Sequence, residues 1–434
     1  MQGNRGAPAP ESLPRWGRLA LGIALSIACV SGSALAQRPT ATLDVLHWWT
    51  SASEQRAFEV LREAAGDAGV RLRDASIPGG AGTGALKVLR ARVLRGEPPS
   101  VAQINGASMA AWARLGFLRN LDVVAQAQDW QGTLPPVIDE LVRHEGRYVA
   151  APFAVHRVNT LLYNRRVFAR LGLDAPTDWE SLVATAQALK AAGVTPIAQS
   201  AQPWQVATLL EVLVLARGGT AFYRRVFVDL DARALRQPAF TDSLRRLRRL
   251  RAFMGPELRE RPWQSVTADV AEGRAAMQIM GDWAKGELLA MGKHLGEDFG
   301  CRAAPGTDGA HLYSIDTMAF FKGLEPTGRN AQSRLAGVVL TPRVQRAFSR
   351  AKGTFPARRD IADEVLDACA RGSRRAFHRE PAPAPSLVHR MATTETVRNV
   401  FISEVHRFFT AGEADADATA RRLAAALEAI DHDP

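Results

Sequence analysis

The chain has 434 residues, of which 47% are hydrophobic and 23% charged, a composition that indicates a folded globular protein and excludes an intrinsically disordered one. This length exceeds what one hydrophobic core usually organises, so two domains are expected. The net charge of +11 comes from arginines spread along amphipathic segments such as 244–250. Basic and aromatic residues do not alternate in the way that stacks bases, so no nucleic-acid partner is predicted.

The first 36 residues have the pattern of a signal peptide. Three arginines precede an apolar run at 19–28, and Ala34-Leu35-Ala36 provides a small-x-small cleavage site before Gln37. The run is too short to span a bilayer, and no later segment approaches 18 consecutive apolar residues. Export to the periplasm is therefore predicted. A lipoprotein anchor at Cys29 is the less favoured alternative, because the residues before it lack the expected leucine.

The N-terminal half alternates strands with helices. Apolar periodicity predicts strands at 42–47, 70–77 and 101–104. A helix capped by Ser51 or Ser53 follows the first strand, and a second helix begins at the glycine turn at 79–82. The same rhythm returns with a helix at 178–192, a strand at 195–198 and helices at 205–216 and 416–430. This order predicts an α/β protein with parallel sheets flanked by helices.

After removal of the signal peptide two cysteines remain, Cys301 and Cys369. In an oxidising compartment such a pair is a candidate disulfide, and two buried free thiols are the alternative. Their spacing of 68 positions, without histidine pairs nearby, does not predict a metal site, and no cofactor is expected.

Motifs for catalysis are absent from the sequence. It has neither a Gly-x-Ser-x-Gly elbow nor a His-Glu-x-x-His pair, and the glycine stretch near residue 80 lacks the Gly-Lys-Ser/Thr ending of a phosphate-binding loop. An enzyme is therefore not the favoured prediction.

Two adjacent tryptophans, Trp48 and Trp49, directly follow the first predicted strand, where a parallel sheet delivers loops to a ligand crevice. They are either core residues or a platform for a sugar ring, whose C–H groups pack on aromatic faces while its hydroxyls form hydrogen bonds.

Several short motifs give the chain a resemblance to the periplasmic glucose/mannose-binding proteins of bacterial ABC importers. They occur in the same order and at similar spacing from about residue 41 onward: HWWTS at 47–51, VHRVN at 155–159, QPWQ at 202–205, MGDWAK at 280–285, IDTMA at 315–319 and KG at 352–353.

The resemblance implies a two-lobed periplasmic-binding-protein-like fold that closes on one aldose. It places stacking aromatics at Trp48, Trp49 and Trp283 and hydrogen-bonding groups at Glu54, Asp316, Lys352 and His389. Two positions depart from the family pattern: Asn105 stands where the family has a lysine, and Ser314 where it has an asparagine. Both shorten the polar side chain, which leaves open a related or larger carbohydrate. His156, Arg157 and Trp204 are predicted either to pack at the hinge or to contact the ligand.

The predicted organisation is a signal peptide at 1–36, lobe one at 37–152 and 302–328, and lobe two at 153–301 and 329–434. The predicted function is capture of a sugar for the membrane permease subunits of an ABC importer, by a monomer without a cofactor. Two alternatives are a secreted carbohydrate-active enzyme using Glu54 or Asp316, and a protein that presents sugar to a chemoreceptor or sensor kinase.

Overall fold

The computed structural model describes residues 41–256, 258–379 and 382–431; the predicted signal peptide and Cys29 lie outside this part of the chain. Thirteen strands occur in the described residues: β1 (Ala41–His47), β2 (Val70–Ser76), β3 (Val101–Gln103), β4 (Arg143–His144), β5 (Arg147–Tyr148), β6 (Ala150–Arg157), β7 (Thr160–Asn164), β8 (Thr195–Ile197), β9 (Ala275–Met280), β10 (Phe299–Ala303), β11 (Leu312–Phe320), β12 (Phe355–Pro356) and β13 (Ala384–Pro385).

Eighteen α-helices occur in the same residues: α1 (Ala52–Asp67), α2 (Thr83–Leu94), α3 (Ala107–Arg114), α4 (Asp122–Ala127), α5 (Trp130–Thr133), α6 (Pro136–Leu141), α7 (Arg165–Leu171), α8 (Trp179–Ala191), α9 (Pro203–Phe227), α10 (Ala232–Leu235), α11 (Pro238–Leu250), α12 (Trp263–Ala271), α13 (Trp283–Ala290), α14 (Pro326–Val339), α15 (Pro342–Lys352), α16 (Ala368–Phe377), α17 (Glu395–Thr410) and α18 (Ala416–Asp431). Short 3-10 turns lie at Gly80–Gly82, Arg251–Phe253 and Asp363–Val365.

The first sheet has the strand order β12-β6-β11-β3-β1-β2, with β13 paired to β11. β1 is parallel to β2 and β3, as the alternation of strands and helices predicts. β11 is antiparallel to both β3 and β6, so the sheet is mixed rather than purely parallel. β11 can run antiparallel because it enters the sheet from the other half of the chain and not through a helical crossover.

The second sheet has the order β10-β7-β9-β8, with β8 parallel to β9 and the other pairs antiparallel. Together the two helix-flanked sheets confirm the predicted fold class. Each sheet lies in its own hydrophobic core: Leu43, Val45 and Ile315 belong to the first, and Leu161, Leu213 and Ile279 to the second.

Residues 329–357 pack differently from the predicted partition. Helices α14 and α15 bury Leu335, Val339 and Phe348 in the core of the first sheet, although the sequence assigned this segment to lobe two. The first change of sheet comes later than predicted, after β6 at 158–159, and the second lies between β10 and β11. The physical reason is that β6 pairs with β11 as far as Arg157, so the strand stays in the first sheet past Pro152.

Cys301 on β10 and Cys369 on α16 form a disulfide, with their Cα atoms 6.1 Å apart. β10 belongs to the second sheet, whereas α16 buries Ala370 and Phe377 in the core of the first. The bond therefore links elements that pack on different cores.

Helix α9 is longer than the predicted helix at 205–216. Among the described residues it is the one helix long and apolar enough to cross a membrane, and no such segment was expected from the sequence. Its residues 205–215 are buried in the second core, where apolar side chains are needed on every face of the helix.

Candidate functional site

A cavity of about 320 Å³ opens between residues carried by the two sheets. This volume lies at the lower end of the range typical of small-molecule sites. Its wall includes loops that follow β1, β3 and β9, where parallel strands present their carboxyl ends. Of the nine predicted binding residues, eight line it: Trp48, Glu54, Asn105, Trp283, Ser314, Asp316, Lys352 and His389.

Trp49 is the exception, because its side chain is fully buried in the first core. Its ring packs 5.7 Å from Phe153 and 5.1 Å from Phe348, centroid to centroid. Neighbouring side chains at the end of an extended strand point to opposite sides, so only one of the two tryptophans can face the cavity. Trp48 takes that position. The stacking role predicted for Trp49 is wrong, although the ammonium of Lys352 lies 5.6 Å above its ring.

Glycines allow three indole rings to lie close to the backbone. A Cβ at Gly80 would be 2.2 Å from Trp204, one at Gly82 2.8 Å from Trp48, and one at Gly281 2.0 Å from Trp283. Gly82 also has φ of 72°, a left-handed conformation that L side chains rarely adopt. The glycine stretch thus has a role beyond the predicted turn, since it lets Trp48 and Trp204 pack against one loop.

Asp316 lies on β11 and is held by three side chains. Its Oδ1 accepts hydrogen bonds from Gln103 (3.0 Å) and Asn105 (3.3 Å), and its Oδ2 lies 3.2 Å from Nε2 of His156. Burial by itself would raise the pKa of Asp316. The charge and hydrogen bond of His156, the charge of Lys352 and the hydrogen bond from Asn105 together outweigh burial and lower the pKa well below its usual range. Asp316 is therefore an ionised hydrogen-bond acceptor at neutral pH.

His156 bridges two carboxylates, since its Nδ1 lies 2.7 Å from Asp282 and its Nε2 faces Asp316. Burial alone would lower its pKa, yet the two carboxylates overcome this and raise the pKa to about 9. A ring donating from both nitrogens is the imidazolium form. From the sequence, His156 and Arg157 were predicted either to pack at the hinge or to contact the ligand. His156 lines the cavity, whereas Arg157 donates to Ala310 in the segment between β10 and β11.

Glu54 and Lys352 form a buried ion pair in the cavity wall, with 2.6 Å between Oε1 and Nζ. The other oxygen of Glu54 accepts the backbone N–H groups of Thr50 (2.9 Å) and Ser51 (3.1 Å). Ser51 in turn caps α1 by accepting from the backbone of Glu54, which completes a capping box. The start of α1 therefore fixes the carboxylate that orients Lys352.

The two departures from the family pattern, Asn105 and Ser314, are both buried in the wall. Besides donating to Asp316, the Asn105 amide accepts the backbone N–H of Thr317 at 3.3 Å. Its short side chain is thus bound to β11.

Several lining residues were not among the predicted ligand contacts. They are Thr50, Gln202, Trp263, Gln264 and Arg390, together with the loop at 78–81. Trp204, left open from the sequence, also lines the cavity. Trp263 begins α12 directly after Pro262. An aromatic residue at the start of a helix is the one local feature from which its place in the cavity wall could have been predicted. Arg390 has φ of 68°, uncommon for a non-glycine residue, and donates to the carbonyl of Ala81 at 3.0 Å.

Among the described residues, no group of three or more histidine, cysteine, aspartate and glutamate side chains is arranged to hold a metal ion. The acidic groups of the cavity are engaged by His156, Lys352 and amide donors instead.

Residues 51–325 match the family model described as bacterial extracellular solute-binding protein, which is more than half of the chain. The chain belongs to that family. Relatives of this solute-binding protein include two named "probable sugar-binding periplasmic protein". The one from Brucella suis biovar 1 is 37% identical over 390 residues, covering 89% of this chain and 92% of the relative. The one from Rhizobium meliloti is 36% identical over 407 residues, covering 93% and 98%.

The solved structure of the bacterial solute receptor AcbH, described with an exclusive preference for β-D-galactopyranose, superimposes on this solute-binding protein with a TM-score of 0.76. The match covers 90% of this chain and 99% of that one at 18% sequence identity. At this identity the similarity shows the shared fold.

Proposed function

We propose that the chain captures a neutral carbohydrate in the periplasm, an aldose such as glucose or mannose or a related sugar, and delivers it to the permease subunits of an ABC importer. The observation that carries this proposal is the meeting of Trp48 and Trp283 with Asp316, Lys352 and His389 in one cavity. The sugar-binding names of the relatives support the ligand class.

The side chains suit a polyol ring. Four tryptophans line the cavity, Trp48, Trp204, Trp263 and Trp283, and offer apolar faces to the C–H groups of a sugar. Asp316 accepts hydrogen bonds from hydroxyls and Lys352 donates to them, and such charge-assisted bonds contribute about 1.5–3 kcal/mol each. A few of these bonds with stacking reach the roughly 8 kcal/mol needed for micromolar affinity.

Charge pairing inside the wall favours a ligand without net charge. Lys352 is neutralised by Glu54, and His156 lies between Asp316 and Asp282, a group of three side chains with one net negative charge. A uronate or a sugar phosphate would bring in a charge with no free counter-charge from these groups. Such a buried unpaired charge is costly.

The proposed mechanism of capture is closure of two lobes, each built on one of the two sheets. Lobe one, built on the first sheet, and lobe two, built on the second, would close on the sugar by rotation at the connecting segments 158–159 and 304–311, and the permease would recognise the closed form. The packing of α14 and α15 on the first core supports placing 329–357 in lobe one.

The test is isothermal titration of the purified mature chain with D-glucose, D-mannose, D-galactose, D-xylose and maltose, with native mass spectrometry of any co-purified ligand. We expect micromolar or tighter binding of at least one neutral sugar, recovered intact. Absence of binding across the panel would contradict the proposal, and turnover of the sugar to product would favour the enzyme alternative.

A further inference from the structure

Glu211 is a buried carboxylate in the middle of the apolar helix α9 and is not part of the cavity wall. Its Oε1 accepts hydrogen bonds from the backbone N–H of Leu387 (2.6 Å) and the hydroxyl of Tyr223 (2.5 Å). Its Oε2 accepts from the hydroxyl of Ser386 at 2.8 Å. A carboxylate buried at this depth requires such donors. The Tyr223 hydroxyl also lies 3.0 Å from the carbonyl oxygen of Pro385, so it has one proton for two acceptors, whereas the N–H of Leu387 is a fixed donor.

Ser386 connects Glu211 to the cavity. Its Oγ lies 2.8 Å from Nδ1 of His389 and also accepts the backbone N–H of His389 at 3.2 Å. The ring of His389 lines the cavity and lies 5.0 Å from the ring of Trp283, centroid to centroid. Its second nitrogen, Nε2, is buried and has no hydrogen-bond partner among the described residues.

Counting protons assigns the donors along this chain of groups. A serine hydroxyl carries one proton, and an ionised Glu211 can only accept, so Ser386 gives its proton to Oε2. The contact between Ser386 and Nδ1 then needs a proton on Nδ1. A neutral imidazole has one N–H, which leaves Nε2 with a lone pair and no hydrogen-bond partner among the described residues.

The geometry points to Glu211 as a positioning residue: acting through Ser386, it fixes His389 in the Nδ1–H tautomer and makes Nε2 a hydrogen-bond acceptor for a ligand hydroxyl. The inference deepens the proposed function and rests on it for the identity of the ligand. The tautomer itself does not depend on which sugar binds.

The charged groups around the pair agree with these protonation states. Burial, and then the cations of Arg398, His156 and Arg390, lower the pKa of His389 to about 3, so the ring is neutral. Burial raises the pKa of Glu211 to about 7 while its hydrogen bonds oppose the rise, so the carboxylate is ionised above neutral pH. Asp316 acts on His389 in the opposite direction to the cations and is the weaker influence.

Replacing Glu211 by glutamine reverses the assignment. The backbone N–H of Leu387 is a fixed donor, so the amide oxygen must stay on that side and the amide NH₂ must face Ser386. Ser386 can then no longer donate to residue 211, and its proton turns to Nδ1 of His389. Nε2 becomes the N–H nitrogen and meets a ligand hydroxyl as a donor.

The experiment is ¹⁵N NMR of histidine side chains in the full mature chain at pH 8.5 without sugar, with the His389 signal identified by its loss in His389→Asn. We expect a protonated Nδ1 and an unprotonated Nε2 in the wild type, and the reverse in Glu211→Gln. A wild-type ring protonated on Nε2, or a tautomer unchanged in Glu211→Gln, would overturn the inference.

Two further variants separate positioning from folding. Ser386→Ala should abolish the exclusive Nδ1–H state, and persistence of that state would also overturn the inference. Glu287→Gln replaces another buried carboxylate, one that accepts from the backbone of Ser53, and should leave His389 unchanged. In the affinity arm, Glu211→Gln should bind the tightest sugar of the panel about tenfold more weakly. If the wild type binds no sugar, the proposed function fails. The inference about Glu211 is still tested, because the His389 tautomer is measured by NMR without sugar.

Discussion

The ammonium of Lys352 lies 2.6 Å from the carboxylate of Glu54, and both side chains are buried in the wall of the cavity. The two residues are 298 positions apart in the chain, on α15 and α1. The pair joins the start of the first helix to the end of a helix that the sequence alone assigned to the other lobe. It links two helices that pack on the first core, and both of its side chains line the site.

Lys352→Met should destabilise the chain by about 3 kcal/mol, because Glu54 keeps its backbone donors but loses its only ammonium partner among the described residues. The free energy of unfolding in urea measures this effect. Glu54→Gln combined with Lys352→Met should recover part of the loss. Lys322→Met, at an exposed position, serves as the control and should change stability by less than about 0.5 kcal/mol.

The two adjacent tryptophans should respond differently to truncation. Trp48→Ala removes a cavity wall and should weaken sugar binding about tenfold or more with a small change in stability. Trp49→Ala leaves a void between Phe153 and Phe348 and should cost about 3–5 kcal/mol of folding free energy. Titration calorimetry and urea unfolding of both variants make the comparison; equal losses of stability would contradict the placement of Trp49.

The contribution of His156 to the free energy of unfolding should depend on pH. Its pKa is raised from 6.5 to about 9 in the folded chain because Asp282 and Asp316 overcome the effect of burial. A raised pKa stabilises the folded state fully below about pH 6.5, and this contribution is lost as the pH rises through 9. The expected size is on the order of 2–4 kcal/mol. The difference in unfolding free energy between wild type and His156→Gln, measured from pH 6 to 10, should shrink with rising pH; a constant difference would argue against the charged form.

The disulfide between Cys301 and Cys369 closes a segment with a sequence separation of 68. The chain-entropy model gives about 4 kcal/mol for a loop of this length. The double variant Cys301→Ser, Cys369→Ser should therefore unfold at clearly lower urea concentration than the oxidised wild type. Reduced wild type is the matched control and should behave like the double variant.

From the sequence alone, the fold class could be predicted, together with four of the eight strands and three of the eight helices that the structure describes up to residue 200. Alternating and helical apolar periodicities report local burial, which is why these elements could be identified. The collinear motifs also selected eight residues that meet in the cavity. Trp49, in contrast, was misplaced. Its neighbour Trp48 has the same residue type and the same local context, and only the packing of Phe153 and Phe348 decides which ring is inside.

Tertiary structure also decided the roles of His156 and Glu211 and the position of α14 and α15. A pattern along the chain shows that a side chain is buried, but not which distant groups surround it. His156 is charged because Asp282 and Asp316 converge on it from other strands and loops, and Glu211 matters through Ser386, 175 positions away. Local chemistry thus determined the elements and the kind of site, whereas long-range packing determined its protonation, its partners and the domain to which each helix belongs.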